Sequence, residues 1–130
     1  MSALVRARGL AVGYGEVKVA RGINLEVQPG ELVALLGPNG VGKTTTMLTL
    51  AGELEPLGGE LSLDRGKSSA SLCKRAREGL AYVTEERSVF MSMTVAQNIR
   101  VGRCKITDVL AIFPELEPLL NRPAGLWSGG

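Results

Sequence analysis

The chain has 130 residues, 45% hydrophobic and 22% charged, the balance of a globular chain with one core of ordinary size rather than a disordered one. Fifteen basic residues against thirteen acidic ones leave a formal net charge of +2, too near balance to imply a polyanionic partner. One Trp, two Tyr and two Phe, scattered along the chain, form no stacking platform, so no nucleic-acid partner is expected.

The N-terminus, Met1 to Arg8, is interrupted by arginines and has no apolar signal-peptide region. No apolar run approaches the roughly 20 residues that a membrane-spanning helix needs. Any membrane role is therefore expected to come through a partner. Cys73 and Cys104 lie far apart, without a CxxC motif or any histidine to complete a metal site, and read as two reduced cysteines of a cytosolic protein.

Leu4 to Val12 reads as one extended stretch, Gly13-Tyr14-Gly15 as a turn, and Val17 to Val27 as a longer alternating stretch closed by Pro29-Gly30. Glu31-Leu32-Val33-Ala34-Leu35-Leu36 is a near-continuous apolar run, the pattern of a strand buried on both faces of a parallel sheet. A glycine-rich turn comes next, then a helical segment from Lys43 to Ala51 stopped by Gly52. Leu61 to Asp64 suggests a short strand, Ser71 to Glu78 a helix stopped by Gly79, and Leu80 to Thr84 a second buried strand. The basic run Lys74-Arg75-Ala76-Arg77 reads as the solvated face of that helix. Thr94-Val95-Ala96-Gln97 matches a capping box and predicts a helix start. Prolines 114, 118 and 123 break up the remainder of the chain.

Gly37-Pro38-Asn39-Gly40-Val41-Gly42-Lys43-Thr44 satisfies G-x-x-x-x-G-K-[ST]. Glycines let the backbone curl so that successive N–H groups point inward around the β- and γ-phosphates. The helix beginning near Lys43 aims its positive dipole end at the same anion. Lys43 would add an ammonium on the phosphate oxygens, and the Thr44 hydroxyl one oxygen ligand to Mg²⁺. A strand expected before the loop and a helix after it supply the context the motif requires. No guanine-specific N/T-K-x-D motif occurs, which favours ATP.

With this loop, the chain resembles the ABC transporter ATPase family along its whole length. Gly37 to Thr45 is the family's form of the loop, and Val12-Gly13-Tyr14-Gly15 looks like its A-loop, whose aromatic ring stacks on adenine. Tyr82-Val83-Thr84-Glu85 resembles the strand leading into the Q-loop, with Glu85 where the family usually has Gln. The branched-chain amino-acid uptake subgroup commonly carries Glu there. The runs 85–90, 93–95 and 113–116 look like that subgroup too. Gly125-Leu126-Trp127-Ser128-Gly129-Gly130 is similar to the start of the LSGGQ signature, with Trp127 where Leu is usual. The family's Walker B strand with its Asp-Glu pair, the D-loop and the switch histidine have no counterpart in these residues.

The resemblance implies an α/β fold of the P-loop NTPase (ABC ATPase) type. An antiparallel β segment and part of a parallel core would span 1–84, with the Q-loop and the start of a helical subdomain over 85–130. It further implies a peripheral subunit on the cytoplasmic face of the membrane, bound to transmembrane permease subunits and pairing head to tail with a second ATPase subunit around two Mg-ATP. Tyr14, Gly37, Asn39, Gly40, Val41, Gly42, Lys43, Thr44 and Thr45 of one subunit would hold the nucleotide. Ser128 and Gly129 of the other would contact the γ-phosphate. Glu85 would face Mg²⁺ or the attacking water; a solvated acid at a strand end is the plainer account of it. Phe90, Met91 and Met93 form an apolar cluster that would either seat a helix of the membrane partner or pack the helical subdomain.

Two other readings stay open: a soluble ABC ATPase without transport, and a small complete P-loop kinase or NTPase with Leu80 to Glu86 as its Walker B. Thr84, where that strand needs an acid, speaks against the second. Hydrolysis is expected only from a full-length dimer, and residues 1–130 alone are expected to fold poorly.

Overall fold

Two extended runs, the second with alternating side chains, produce a β-hairpin in the computed structural model, which describes residues 2–64, 71–86 and 88–126. β1 (Val5–Tyr14) and β2 (Val17–Val27) pair antiparallel. The strand runs further than the expected turn at 13–15 allowed: Gly13 pairs with Lys18 and Tyr14 with Val17. The turn is therefore Gly15-Glu16, where Gly15 takes φ +56°, a left-handed conformation suited to the first position of a two-residue hairpin. No larger residue fits at position 13, because a Cβ there would fall 1.9 Å from the Val17 carbonyl oxygen.

β3 (Gly58–Leu63) pairs antiparallel with the other edge of β1, giving the order β2-β1-β3. The central strand carries the core: Ala7, Leu10 and Val12 are buried with Leu61 of β3, and Ile23, Leu25 and Leu50 pack against them. Leu50 comes from α1 (Lys43–Ala51), which lies against β1. The buried side of α1 is polar, made of Thr45, Thr46 and Thr49 with Ala51. Two of these hydroxyls are satisfied within the helix: Thr46 Oγ1 donates to the Gly42 carbonyl at 2.7 Å and Thr49 Oγ1 to that of Thr45 at 2.8 Å. α1 stops as expected at Gly52, which takes φ +93° and donates its amide to Leu48 and Thr49.

α2 (Leu72–Arg77) has Ser71 at its N-cap and is followed by Gly79 at φ +108°. Its basic run is not a solvated face throughout. Lys74 and Arg77 are exposed, but Arg75 is buried with its guanidinium on the end of α1. A buried charge needs compensation, and helix C-terminal carbonyls supply it.

The strands expected over 31–36 and 80–84 do not form. A strand exists only where a neighbour completes its ladder, and neither segment has one among the described residues. Leu32 and Leu36 stand 98% and 87% exposed, and Val83 is exposed as well.

The chain divides into two compact units, 1–82 and 83–130. In the second, α3 (Val95–Val101) starts at the expected capping box: the Thr94 hydroxyl accepts from the Gln97 amide at 3.1 Å, and Gln97 Oε1 accepts from the Thr94 amide at 2.9 Å. The Asn98 side chain fastens the preceding loop, accepting from the Phe90 amide at 2.8 Å and donating to the Phe90 and Thr94 carbonyls. α4 (Ile106–Ile112) comes next, and then a 3₁₀ segment, Pro114–Leu119, in the proline-broken stretch. The chain returns beside the loop, with Ala124 and Gly125 donating to the Met93 and Met91 carbonyls at 2.9 and 3.1 Å.

Candidate phosphate-binding site

The loop from Gly37 to Gly42 is exposed up to its last residue, which is buried against the hairpin. Gly42 takes φ +104°, and a Cβ on it would come within 2.9 Å of the Ala20 Cβ and 3.4 Å of Val19 Cγ1. Only glycine lets β2 approach so closely while the backbone turns left-handed into the helix. The same residue is the N-cap of α1, and having no side chain it caps nothing. The first intrahelical bond runs from the Thr46 amide to the Gly42 carbonyl at 2.9 Å, so the helix gives the amides of Lys43, Thr44 and Thr45 no acceptor. No acidic residue stands in this first turn. The helix start is thus positive, open and lacking a side-chain cap, which suits a multiply charged anion.

The Lys43 ammonium reaches back across the loop and donates to the Gly37 carbonyl and to that of Pro38, the latter at 3.2 Å. Thr44 is exposed next to it, whereas Thr45 is buried, leaving its backbone as the group Thr45 presents at the helix start. Tyr14 ends β1 half-exposed, at 51%. The pair Val12–Ala20 lies at the strand surface that meets Gly42, and Tyr14 is two residues further along β1, about 7 Å at strand rise. The hairpin therefore brings Tyr14 to the neighbourhood of the phosphate loop.

Glu85 belongs to the second unit, exposed in a bend where the Thr84 hydroxyl donates to the Glu86 carbonyl at 2.9 Å. Phe90 and Met91 of the same unit are half-exposed and Met93 is partly covered. Ser128 and Gly129 lie outside the described residues. Sequence reasoning missed Arg75 and Asn98 as organising side chains.

The ABC transporter family model matches residues 20–130. The chain belongs to that family. Its match runs through the loop and on to the last residue, which leaves the small-kinase reading without ground. Among similar proteins, the lipopolysaccharide export system ATP-binding protein LptB of Acidithiobacillus ferridurans is 41% identical over 76% of this chain and 42% of its own. The high-affinity branched-chain amino acid transport ATP-binding protein BraG of Pseudomonas aeruginosa is 32% identical over 90% of this chain and 54% of its own. This ABC chain thus spans about half the length of those relatives. Its fold is that of an ATP-binding subunit of an ABC transporter, at TM-score 0.78 and 25% identity over 96% of this chain and 56% of the other. A Pyrococcus furiosus ABC transporter protein superposes at TM-score 0.73 and 26% identity, over 95% and 62%. These likenesses establish the α/β P-loop class, with the antiparallel sheet and α1 as the parts seen paired and packed. Among the described residues, no helix is long and apolar enough to cross a membrane.

Proposed function

We propose that this chain is the nucleotide-holding part of an ABC transporter's ATP-binding subunit and that it holds Mg-ATP at Gly37 to Thr45. The observation that carries this reading is the α1 start without a side-chain cap, with the Lys43 ammonium laid across the loop that precedes it. The amides of Asn39, Gly40, Val41 and Gly42 and of the first helical turn surround the β- and γ-phosphates. Lys43 exchanges its loop carbonyls for phosphate oxygens, a charge-assisted contact. The exposed Thr44 hydroxyl would be the oxygen ligand for Mg²⁺, which would offset the charge of the phosphates. Tyr14 stacks on the adenine.

Glu85 would serve as the Q-loop residue toward the metal or the attacking water, and would relay closure to a membrane permease seated on Phe90 and Met91. Ser128 and Gly129 reach the γ-phosphate of a second subunit in a head-to-tail dimer. Turnover, which needs a carboxylate to position water, is the work of the full-length dimer. The resemblance of 85–90, 93–95 and 113–116, with Glu85 at the Q-loop position, supports import of branched-chain amino acids as the transport reaction. The assembly then works peripherally at the cytoplasmic membrane face.

The test is a calorimetric titration of Mg-ATP and of adenosine into the chain. Two or more charged contacts at about 1.5–3 kcal/mol each make ATP at least about a hundredfold tighter than adenosine. Equal affinities would mean that the loop is not a phosphate site.

A further inference from the structure

α1 is anchored at the end opposite its loop. Arg75 of α2, only 2% exposed, places Nη1 2.8 Å from the Thr49 carbonyl oxygen and 2.7 Å from that of Leu50. Both carbonyls belong to the last turn of α1, at the negative end of its dipole, and that of Thr49 also accepts from the Gly52 amide at 3.2 Å. A second tie lies beside it: the Leu72 amide, first in α2, donates to the Gly52 carbonyl at 3.2 Å. Burial pushes the Arg75 pKa down, yet an arginine guanidinium stays charged in proteins. A permanent cation is thus set at the carbonyl end of α1, one helix length of about 13 Å from the loop.

We propose that Arg75 is a positioning residue for nucleotide binding: by capping the carbonyl end of α1, it fixes the helix so that the amides at its other end converge on the phosphates. This inference rests on the phosphate-loop reading above. The placement acts in two ways. The cation offsets the negative end of the dipole, so the positive end acts on the anion less opposed. The bifurcated contact also resists sliding of α1 along its axis, and displacements on the order of 1 Å at a binding constellation are enough to spoil it.

The experiment compares Arg75→Met, Arg75→Gln and Arg75→Lys with the unaltered chain and Lys43→Ala, recording circular dichroism and titrating Mg-ATP and adenosine. Arg75→Met is expected to weaken ATP about tenfold and adenosine not at all, with Arg75→Lys, which keeps the cation, within about threefold of the unaltered chain. Arg75→Gln, neutral but able to donate to one carbonyl, is expected about fivefold weaker and serves if Arg75→Met does not fold. A role confined to stability would lower the urea midpoint while leaving the ATP affinity of the folded variants unchanged, and that result overturns the inference. Arg75→Lys as weak as Arg75→Met overturns it too. ATP binding that does not depend on Lys43 in the unaltered chain would instead remove the phosphate-loop reading, and this inference with it.

Discussion

Tyr14 shows how much a single side chain can be asked to carry. It ends β1 with half its surface exposed, and its backbone is fixed by pairing with Val17. Aromatic stacking on a base contributes about 1–3 kcal/mol, so Tyr14→Ala should weaken ATP about fivefold to a hundredfold. Inorganic tripolyphosphate, which has no base, should bind both forms alike in the same titration; a parallel loss would mean that the ring supports the loop and does not stack. The ring's type and its place before the loop were legible in the sequence. The role of Arg75 was not, because the acceptors that justify burying it belong to a helix more than twenty residues earlier. Local charge density pointed to solvent, and tertiary context reversed it.

At the scale of the element, what the sequence announced through local bonds came out as read. α1 begins at Lys43 and stops at Gly52, and the Thr94–Gln97 capping box closes on itself. Thr94→Ala should cost about 0.5–2 kcal/mol, seen as a lower urea midpoint and faster amide exchange over Val95–Val101; unchanged exchange there would show that the cap contributes nothing. Apolar runs were the weaker guide. Residues 31–36 and 80–84 have the composition of buried strands, but a strand is defined by its neighbour and these have none among the described residues. The antiparallel hairpin needed no such help, since each strand finds its partner across a two-residue turn.

Across the whole molecule, the β2-β1-β3 sheet with α1 forms an organised core, while Leu32 and Leu36 lie outside any packed layer. Exposed apolar side chains of this kind favour association. Replacing both with Ser in the 130-residue chain should reduce light scattering and dye binding while changing stability by no more than about 0.5 kcal/mol per site. A large loss of stability would show that the segment is buried in solution. The phosphate loop sits between this unpaired segment and the packed helix, and the proposed function depends on what that loop holds. Its direct test is the affinity for Mg-ATP of the chain with and without Lys43→Ala. Loss of one charge-assisted phosphate contact, about 1.5–3 kcal/mol, predicts about ten- to a hundredfold weaker binding. Equal affinity in the two proteins would contradict the assignment of Gly37 to Thr45 as the nucleotide site.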